Sequence, residues 1–246
     1  PAAVRCLSMT DIALNESLDY SYGQARERLR KALENAGRTQ DDAKLLAVSK
    51  TKPAAMIRQV WQLGQREFGE NYLQEALGKQ AELADLDDIV WHFIGPLQSN
   101  KTRAVAEHFD WVHSVDRLKI AKRLSEQRPT HLAPLNICLQ VNISREESKA
   151  GVLPEELEEL AKEVATLPNL HLRGLMAIPA PAQGVDAQRQ PLAALREALA
   201  SLQSSLPNAP LDTLSMGMSD DLEAAVLEGA TLVRLGTAIF GARQSA

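Results

Sequence analysis

The sequence lacks the short motifs that identify several common classes of enzyme. No two of its 13 glycines are spaced as G-x-G, so the fingerprints of dinucleotide-binding folds and P-loops are absent. The G-x-S-x-G elbow of the α/β-hydrolases is also missing. The five histidines include no pair four residues apart and the two cysteines are distant from each other, so nothing predicts a zinc site. We therefore predict no metal site and look for chemistry at the ends of strands instead.

Further absences concern the location and the partners of the protein. No apolar run approaches the ~20 residues that a membrane-spanning helix needs, so we expect no membrane partner. A net charge of -5 does not indicate a nucleic-acid partner. Cys6 and Cys138 are the only cysteines, which argues against disulfides and favours the cytoplasm. The first residues do not have the pattern of a secretory signal, and we interpret residues 1–9 as an N-terminal extension.

Helical and extended patterns alternate over the rest of the chain. Residues 11–36 carry Ala25, Leu29 and Leu33 at helical spacing, which predicts a helix before any strand. Short apolar runs then predict eight strands, over 44–50, 66–70, 89–94, 110–115, 135–142, 172–178, 211–216 and 231–236. Helical patterns lie between them, over 54–64, 71–84, 99–108, 117–127, 154–167, 188–205 and 220–229, with a loop at 179–190.

This order of elements favours one architecture. Alternating strands and helices predict parallel strands joined by right-handed crossovers. With eight strands, closure of the sheet leaves no free edge. We therefore predict an α/β fold with one domain over residues 10–243, a single (β/α)8 barrel with an extra N-terminal helix. The acidic, helix-covered exterior is compatible with a monomer.

The first predicted strand ends in Lys50. A barrel gathers the C-terminal ends of its strands at one mouth, so Lys50 is expected beside the end of strand eight. Lys50 has the same parity as Leu46 and Val48 and would point with them into the top of the barrel. Partial burial there would lower the pKa of the amine and leave it neutral for attack on a carbonyl. The alternative is a solvated charge that ends a strand; Lys52 and Lys149 are further loop lysines near the mouth.

The last predicted strand ends in Gly236-Thr237. Glycine lets the backbone approach an anion, and a helix beginning at Thr237 would direct free N–H groups to the same place. Ser219 follows strand seven, and barrels commonly bind phosphate between the loops after strands seven and eight. An amine beside such a turn suits a phosphorylated aldehyde. The two acidic residues after Ser219 oppose this, so we expect them to point away, with Asp220 and Glu223 as a capping pair. The alternative is a pair of ordinary strand-to-helix turns.

Three polar residues near the strand ends each have two interpretations. Arg234 alternates with Gly236 and would face the interior, where a pyridine nitrogen or an acidic side chain could accept its hydrogen bond. An arginine against a pyridine keeps the ring nitrogen unprotonated, because two positive charges repel. His92 lies either in the core or at the mouth, and the core is favoured. Asn71 is either a helix cap or a mouth residue, and capping is favoured.

Six segments of the chain form a more specific pattern by their order and spacing. They are LLAVSKTKP at 45–53, FGENY at 68–72, WHFIGPLQSNK at 91–101, RGLM at 173–176, SMGMSDD at 215–221 and VRLGTAIFG at 233–241. Together they resemble the pyridoxal phosphate homeostasis protein family over nearly the whole chain.

The resemblance implies a barrel like the N-terminal domain of bacterial alanine racemase. It also implies pyridoxal 5'-phosphate as the cofactor, held as an internal aldimine on Lys50. Phosphate contacts are implied for Ser219, Gly236 and Thr237, and a ring contact for Arg234. Asn71 completes the predicted cofactor-binding set.

Three functions remain open on this basis. The chain is a carrier that holds pyridoxal phosphate for vitamin B6 and amino-acid homeostasis, a racemase-like enzyme, or a barrel enzyme for a small phosphorylated metabolite. A two-base racemase needs a second acid or base on the opposite face of the cofactor. Alanine racemase-like enzymes take it from an added C-terminal domain, which we do not expect after residue 246. We therefore expect a carrier without catalytic residues, with cofactor-dependent apoenzymes as partners.

Overall fold

The computed structural model describes residue 6 and residues 8–147 and 149–242. The predicted extension, residues 1–9, lies mostly outside them. The strands are β1 Lys44–Val48, β2 Glu67–Glu70, β3 Val90–Phe93, β4 Trp111–Val115, β5 Leu135–Gln140, β6 Leu170–Met176, β7 Thr213–Ser215 and β8 Leu232–Leu235. The α-helices are α1 Met9–Asn35, α2 Ala54–Gln62, α3 Leu73–Glu82, α4 Thr102–His108, α5 Leu118–Gln127, α6 Pro154–Ala165, α7 Val185–Ser205, α8 Leu222–Leu227 and α9 Thr237–Phe240.

The eight strands form one closed parallel barrel in chain order. Strand β1 pairs with β8 as well as with β2, and Leu46 lies opposite Arg234 in that closing pair. Helices follow the strands in the pattern of βα units, and α1 precedes them. The predicted barrel with an additional first helix is therefore confirmed.

The alternation of side chains along each strand places the core between the barrel and its helices. In β5, Leu135, Ile137 and Leu139 are fully buried in this layer, as their spacing predicts. Burying a large aliphatic side chain contributes about 1.5–3 kcal/mol, so this layer supplies much of the stability of the fold. The opposite faces of the strands point into the barrel, which is where the polar groups described below meet.

Helix α1 is amphipathic and closes one side of the molecule. Leu29, Ala32 and Leu33 are buried, and the helix packs against α8 and α9, which flank strand β8. It ends where Gly37 adopts a φ of +68°, a left-handed conformation that glycine reaches without a steric penalty. The predicted helix over 11–36 is thus present, and it covers the segments that follow β7 and β8.

Two local predictions were wrong. The loop expected at 179–190 ends early, because Gly184 accepts a hydrogen bond from Gln188 N–H at 3.1 Å and α7 begins at Val185. Asp220 and Glu223 do not form a capping pair. Glu223 is drawn instead to Arg28 of α1, whose Nε donates to it at 2.8 Å.

The described residues also bear on the predicted absences. Cys6 and Cys138 are both free thiols. Within the described residues, no helix combines the length and the apolar character needed to cross a bilayer. No group of three His, Cys, Asp or Glu side chains in that part of the chain is arranged to hold a metal ion.

Candidate functional site at the C-terminal mouth of the barrel

Lys50 and Gly236 follow adjacent strands, β1 and β8, at the C-terminal mouth. A Cβ atom added to Gly236 would lie 3.2 Å from the carbonyl oxygen of Val48, so the two strand ends are in contact. Lys50 sits two residues beyond Val48, in a turn where Thr51 has a φ of +67°. The segments that carry Lys50 and the glycine turn are therefore neighbours at the mouth.

The expected burial of Lys50 was wrong. Lys50 is exposed, because β1 ends at Val48 and the turn carries residue 50 beyond the last layer of the barrel. The adjacent Ser49 is fully buried. An exposed amine at the rim can be reached by molecules from solution. The partly desolvated amine that we expected would be less accessible to them.

Buried charges outside the barrel wall hold the turn that carries Lys50. Lys79 of α3 donates to the carbonyl oxygen of Ser49 at 2.8 Å and to Glu70 at 2.9 Å, and the Ser49 hydroxyl donates to Glu70. Glu75 accepts from the N–H of Thr51 at 2.6 Å. Burial raises the pKa of Glu70, although the nearby Lys79 ammonium opposes that shift. The backbone on both sides of Lys50 is thus fixed from beneath, while the side chain is exposed.

The turn after β8 has the geometry of an anion site. Helix α9 begins at Thr237, as predicted, with Gly236 as its N-cap. Among the hydrogen bonds of the described residues, none uses the N–H of Thr237 or Ala238. Thr237 is exposed at this position. Unpaired N–H groups at the start of a helix attract negative charge.

Ser219 lies in the loop after β7, and α1 holds that loop in place. Its carbonyl oxygen accepts a hydrogen bond of 2.5 Å from Arg28, which also pairs with Glu223. The carboxylate of Asp221 accepts from the N–H of Met218 at 2.8 Å. One of the two acidic residues is therefore engaged by its own loop, and Asp220 is exposed.

Arg234 is buried inside the barrel, as its parity predicts. It donates to the hydroxyl of Ser215 at 2.6 Å and to the carbonyl oxygen of Ala177 at 3.0 Å. Burial lowers the pKa of the guanidinium to about 10, and the carboxylate of Asp221 opposes that shift. No carboxylate of the described residues forms a salt bridge with it, so the salt-bridge interpretation is wrong. A guanidinium carries five N–H donors, which leaves donors for a ligand at the mouth.

A buried series of hydrogen bonds continues from Arg234 through the barrel. Ser215 Oγ lies 2.8 Å from His113 Nδ1, His113 Nε2 lies 2.8 Å from His92 Nδ1, and His92 Nε2 lies 3.0 Å from Glu67 Oε1. We call Glu67, His92, His113, Ser215 and Arg234 the polar chain. His92 is therefore a satisfied interior histidine, as favoured.

Sequence reasoning did not find the polar chain. Strands β4 and β7 are not neighbours in the barrel, so the bond between His113 and Ser215 crosses its interior. The only available signal is that Glu67, His92 and Arg234 are polar residues inside apolar strands. Parity within each strand does not show that His113 meets Ser215 across the barrel, and β4, which carries His113, has an irregularity in register.

Asn71 is not a helix cap. Helix α3 begins at Leu73 with Tyr72 as its N-cap, and no side chain caps it. Among the described residues, the buried Oδ1 of Asn71 has no hydrogen-bond partner. A Cβ atom added to Gly95 would overlap the backbone of Asn71, so the segments that follow β2 and β3 approach closely here. A buried polar atom without a partner is costly, which makes Asn71 a candidate ligand contact at the mouth.

The other loop lysines are not part of this arrangement. Lys52 donates to the carbonyl oxygen of Ala242 at 2.9 Å, and Lys149 is exposed in the loop after β5. Two concavities lie at the opposite, N-terminal end of the barrel. One of about 500 Å³ is lined by residues that include Glu67, Trp111 and Arg173, and neither contains a predicted site residue.

Comparison with known proteins identifies the family. The alanine racemase N-terminal domain family matches residues 22–244. A protein of Pseudomonas aeruginosa named pyridoxal phosphate homeostasis protein is 66% identical over 216 residues, which cover 88% of this chain and 91% of that protein. The chain belongs to the pyridoxal phosphate homeostasis protein family.

Solved structures place this family member beside two kinds of barrel. PipY of Synechococcus elongatus, in a structure described as having PLP bound, is 42% identical with a TM-score of 0.77 and covers 87% of this chain and 100% of its own. Alanine racemase of Corynebacterium glutamicum has a TM-score of 0.66 at 21% identity, covering 92% of this chain and 62% of its own. The second likeness concerns the fold alone.

Proposed function

We propose that this protein binds pyridoxal 5'-phosphate at the C-terminal mouth, holds it as a Schiff base on Lys50, and serves vitamin B6 and amino-acid homeostasis without committed catalysis. The observation that carries the proposal is the meeting of Lys50, the Gly236 turn and buried Arg234 at one end of the barrel. The relatives' names and the PLP-bound PipY support the choice of cofactor.

The residues at the mouth fit this cofactor on their own chemistry. Arg234 has spare donors without a carboxylate partner, and Asn71 has a buried oxygen without one. The free N–H groups at the start of α9, with Gly236 and the loop of Ser219, would hold the phosphate. Arg234 would contact the ring nitrogen and keep it unprotonated. When bound, the cofactor supplies an aldehyde that condenses reversibly with primary amines.

The exposure of Lys50 supports a carrier rather than an enzyme. Enzymes that commit a reactive intermediate to turnover exclude water from it. Here the attachment point lies at an open rim, where amines in solution reach it. Delivery to cofactor-dependent apoenzymes, a monomeric state and a cytoplasmic location complete the proposal. The two free cysteines agree with a reducing compartment.

The Schiff base is tested by removing its amine. Purified protein should absorb in the visible range, and reduction with borohydride should fix the cofactor on a peptide containing Lys50. The Lys50→Ala variant should lose the visible band and the modified peptide. Lys149→Ala, which removes an exposed loop amine, is the matched control and should keep both. A Lys50→Ala protein with the full visible band would refute the assignment to this lysine.

The racemase-like alternative is tested separately. Tyr72 is exposed and follows Asn71 after β2, so its phenol is the acid–base group to test there. Incubation with L-alanine and other L-amino acids should give no sustained formation of the D-enantiomer. Turnover at about 1 per second or faster would support an enzyme. Its loss in Tyr72→Phe would then assign the second base.

A further inference from the structure

The polar chain connects the two ends of the barrel. Glu67 is the first residue of β2 and lines the N-terminal concavity, where Lys44 Nζ lies 3.4 Å from its carboxylate. Arg234 is the third residue of β8 and lies below the proposed cofactor site. His92, His113 and Ser215 between them are fully buried. The chain thus has an anion at its exposed end and a cation at its buried end.

The hydrogen bonds have one arrangement in which every member is satisfied with neutral histidines. Burial raises the pKa of Glu67, but His92 and Lys44 lower it by more. Glu67 is therefore a carboxylate, which can only accept hydrogen bonds. His92 therefore donates from Nε2 to Glu67, and its Nδ1 accepts from His113 Nε2–H. His113 Nδ1 then accepts the hydroxyl proton of Ser215, whose oxygen accepts from Arg234.

The surroundings of His113 favour its neutral form, as this arrangement requires. Burial, together with the positive charge of Arg234 and the repulsion that a protonated His92 would add, lowers the pKa of His113 well below its usual value. Trp111 stacks on His92 at 5.3 Å between ring centroids and fixes the plane of the imidazole. Lys44 lies at Glu67 and Asp221 near Arg234, while Arg66, Asp110 and Arg173 line the same concavity as Glu67.

We infer that the polar chain is a positioning device, in which Glu67 acts as a remote counter-charge for Arg234 and gives all its hydrogen bonds one direction. Glu67, His92 and His113 are positioning residues, because they reach the proposed cofactor only through Ser215 and Arg234. The inference deepens the proposed function and rests on it for the role of Arg234. A series of aligned hydrogen bonds between opposite charges is stronger than the same bonds taken separately. Removing the charge at one end should therefore weaken the hydrogen bonds at the other end.

The direction of the chain is tested in the protein without cofactor. Nitrogen-15 NMR of labelled imidazoles should show His92 and His113 as neutral Nε2–H tautomers at about pH 7. In Glu67→Gln the acceptor is no longer charged, so both tautomers of His113 should be populated. Asp212→Asn, which removes a carboxylate from the same end of the barrel, is the matched control and should leave the tautomers unchanged. An imidazolium or an Nδ1–H tautomer at His113 in the wild type would overturn the inference.

The effect on binding is tested by titration with pyridoxal 5'-phosphate. Glu67→Gln should bind about fivefold more weakly than the wild type, whereas Asp212→Asn should bind equally well. Equal binding and unchanged tautomers in Glu67→Gln would remove the coupling. If the wild type failed to bind at all, the proposed function would fall while the tautomers still decided the direction of the chain. If Glu67→Gln failed to fold, the wild-type tautomers would decide it alone.

Discussion

At the scale of single residues, the barrel tolerates change very unevenly. Gly174 lies in β6 opposite Thr213, and a Cβ atom there would overlap the carbonyl oxygen of Thr213. Gly78 lies on α3 with nothing within 4 Å of such an atom. The same added methyl group therefore has opposite consequences at these two positions.

Gly174→Ala should destabilise the fold by about 3 kcal/mol or more, because β6 and β7 must move apart. Gly78→Ala should stabilise it by about 0.5–1 kcal/mol, since alanine favours the helix and meets no neighbour. Urea unfolding of both variants measures the difference. Similar midpoints for the two variants would contradict the close approach of β6 to β7.

Residue-level prediction from the sequence succeeded where one strand was enough and failed where two elements meet. The interior position of Arg234 follows from alternation within β8 alone. The exposure of Lys50 depends on where β1 stops, and the absence of a cap by Asn71 depends on where α3 starts. The polar chain needs the relative positions of several strands, which the spacing within each strand does not contain.

At the scale of elements, α1 is more than a cover for the barrel. Arg28 joins it to Glu223 of α8 and to the carbonyl oxygen of Ser219. On the same helix, Arg30 pairs with Glu27 and Glu34, both on α1 and exposed. The helix thus offers one arginine that contacts α8 and the loop after β7, and a second whose ion pairs lie within α1.

Arg28→Met should weaken binding of pyridoxal 5'-phosphate by roughly fivefold, because the loop of Ser219 loses the charged donor that holds it. Arg30→Met should leave binding unchanged, as expected for an exposed pair within one helix. Fluorescence or absorbance titration compares the variants. Equal affinities of the two variants would show that the contact between Arg28 and the loop after β7 does not affect cofactor binding.

The eight strands and most helices were predictable because apolar periodicity records which face of each element is buried. The start of α7 was not, because the prolines and the glycine in residues 179–184 favour a loop, which we extended to residue 190, whereas α7 begins at Val185. Likewise, the pairing of Glu223 with Arg28 joins residues 195 positions apart. Local patterns favour a cap at such a position, and tertiary contacts decide otherwise.

At the scale of the whole molecule, the stability of the fold should decrease as the pH is lowered. Hydrogen bonds from His92, Arg173 and Arg28 lower the pKa of Glu67, Asp212 and Glu223, respectively, against desolvation. A carboxyl group whose pKa is lower in the folded state stabilises the fold at pH values above its pKa in the unfolded state. That contribution is lost as the pH falls through the pKa of the group in the folded state. Glu70, whose pKa is raised, contributes in the opposite direction.

The free energy of unfolding should therefore decrease below about pH 4. Urea unfolding over a series of pH values measures it. In the triple variant Glu67→Gln, Asp212→Asn, Glu223→Gln, the free energy of unfolding should fall less steeply as the pH is lowered. At neutral pH it should be lower than that of the wild type. An equally steep fall in that variant would assign the effect to other carboxyl groups.

The burial of Cys138 within β5 has a consequence for redox chemistry. Burial raises the pKa of its thiol to about 12, so the reactive thiolate is scarce as well as shielded. Cys6, by contrast, is exposed. Oxidants and alkylating agents should consume Cys6 first, and they should reach Cys138 only in molecules whose barrel has opened.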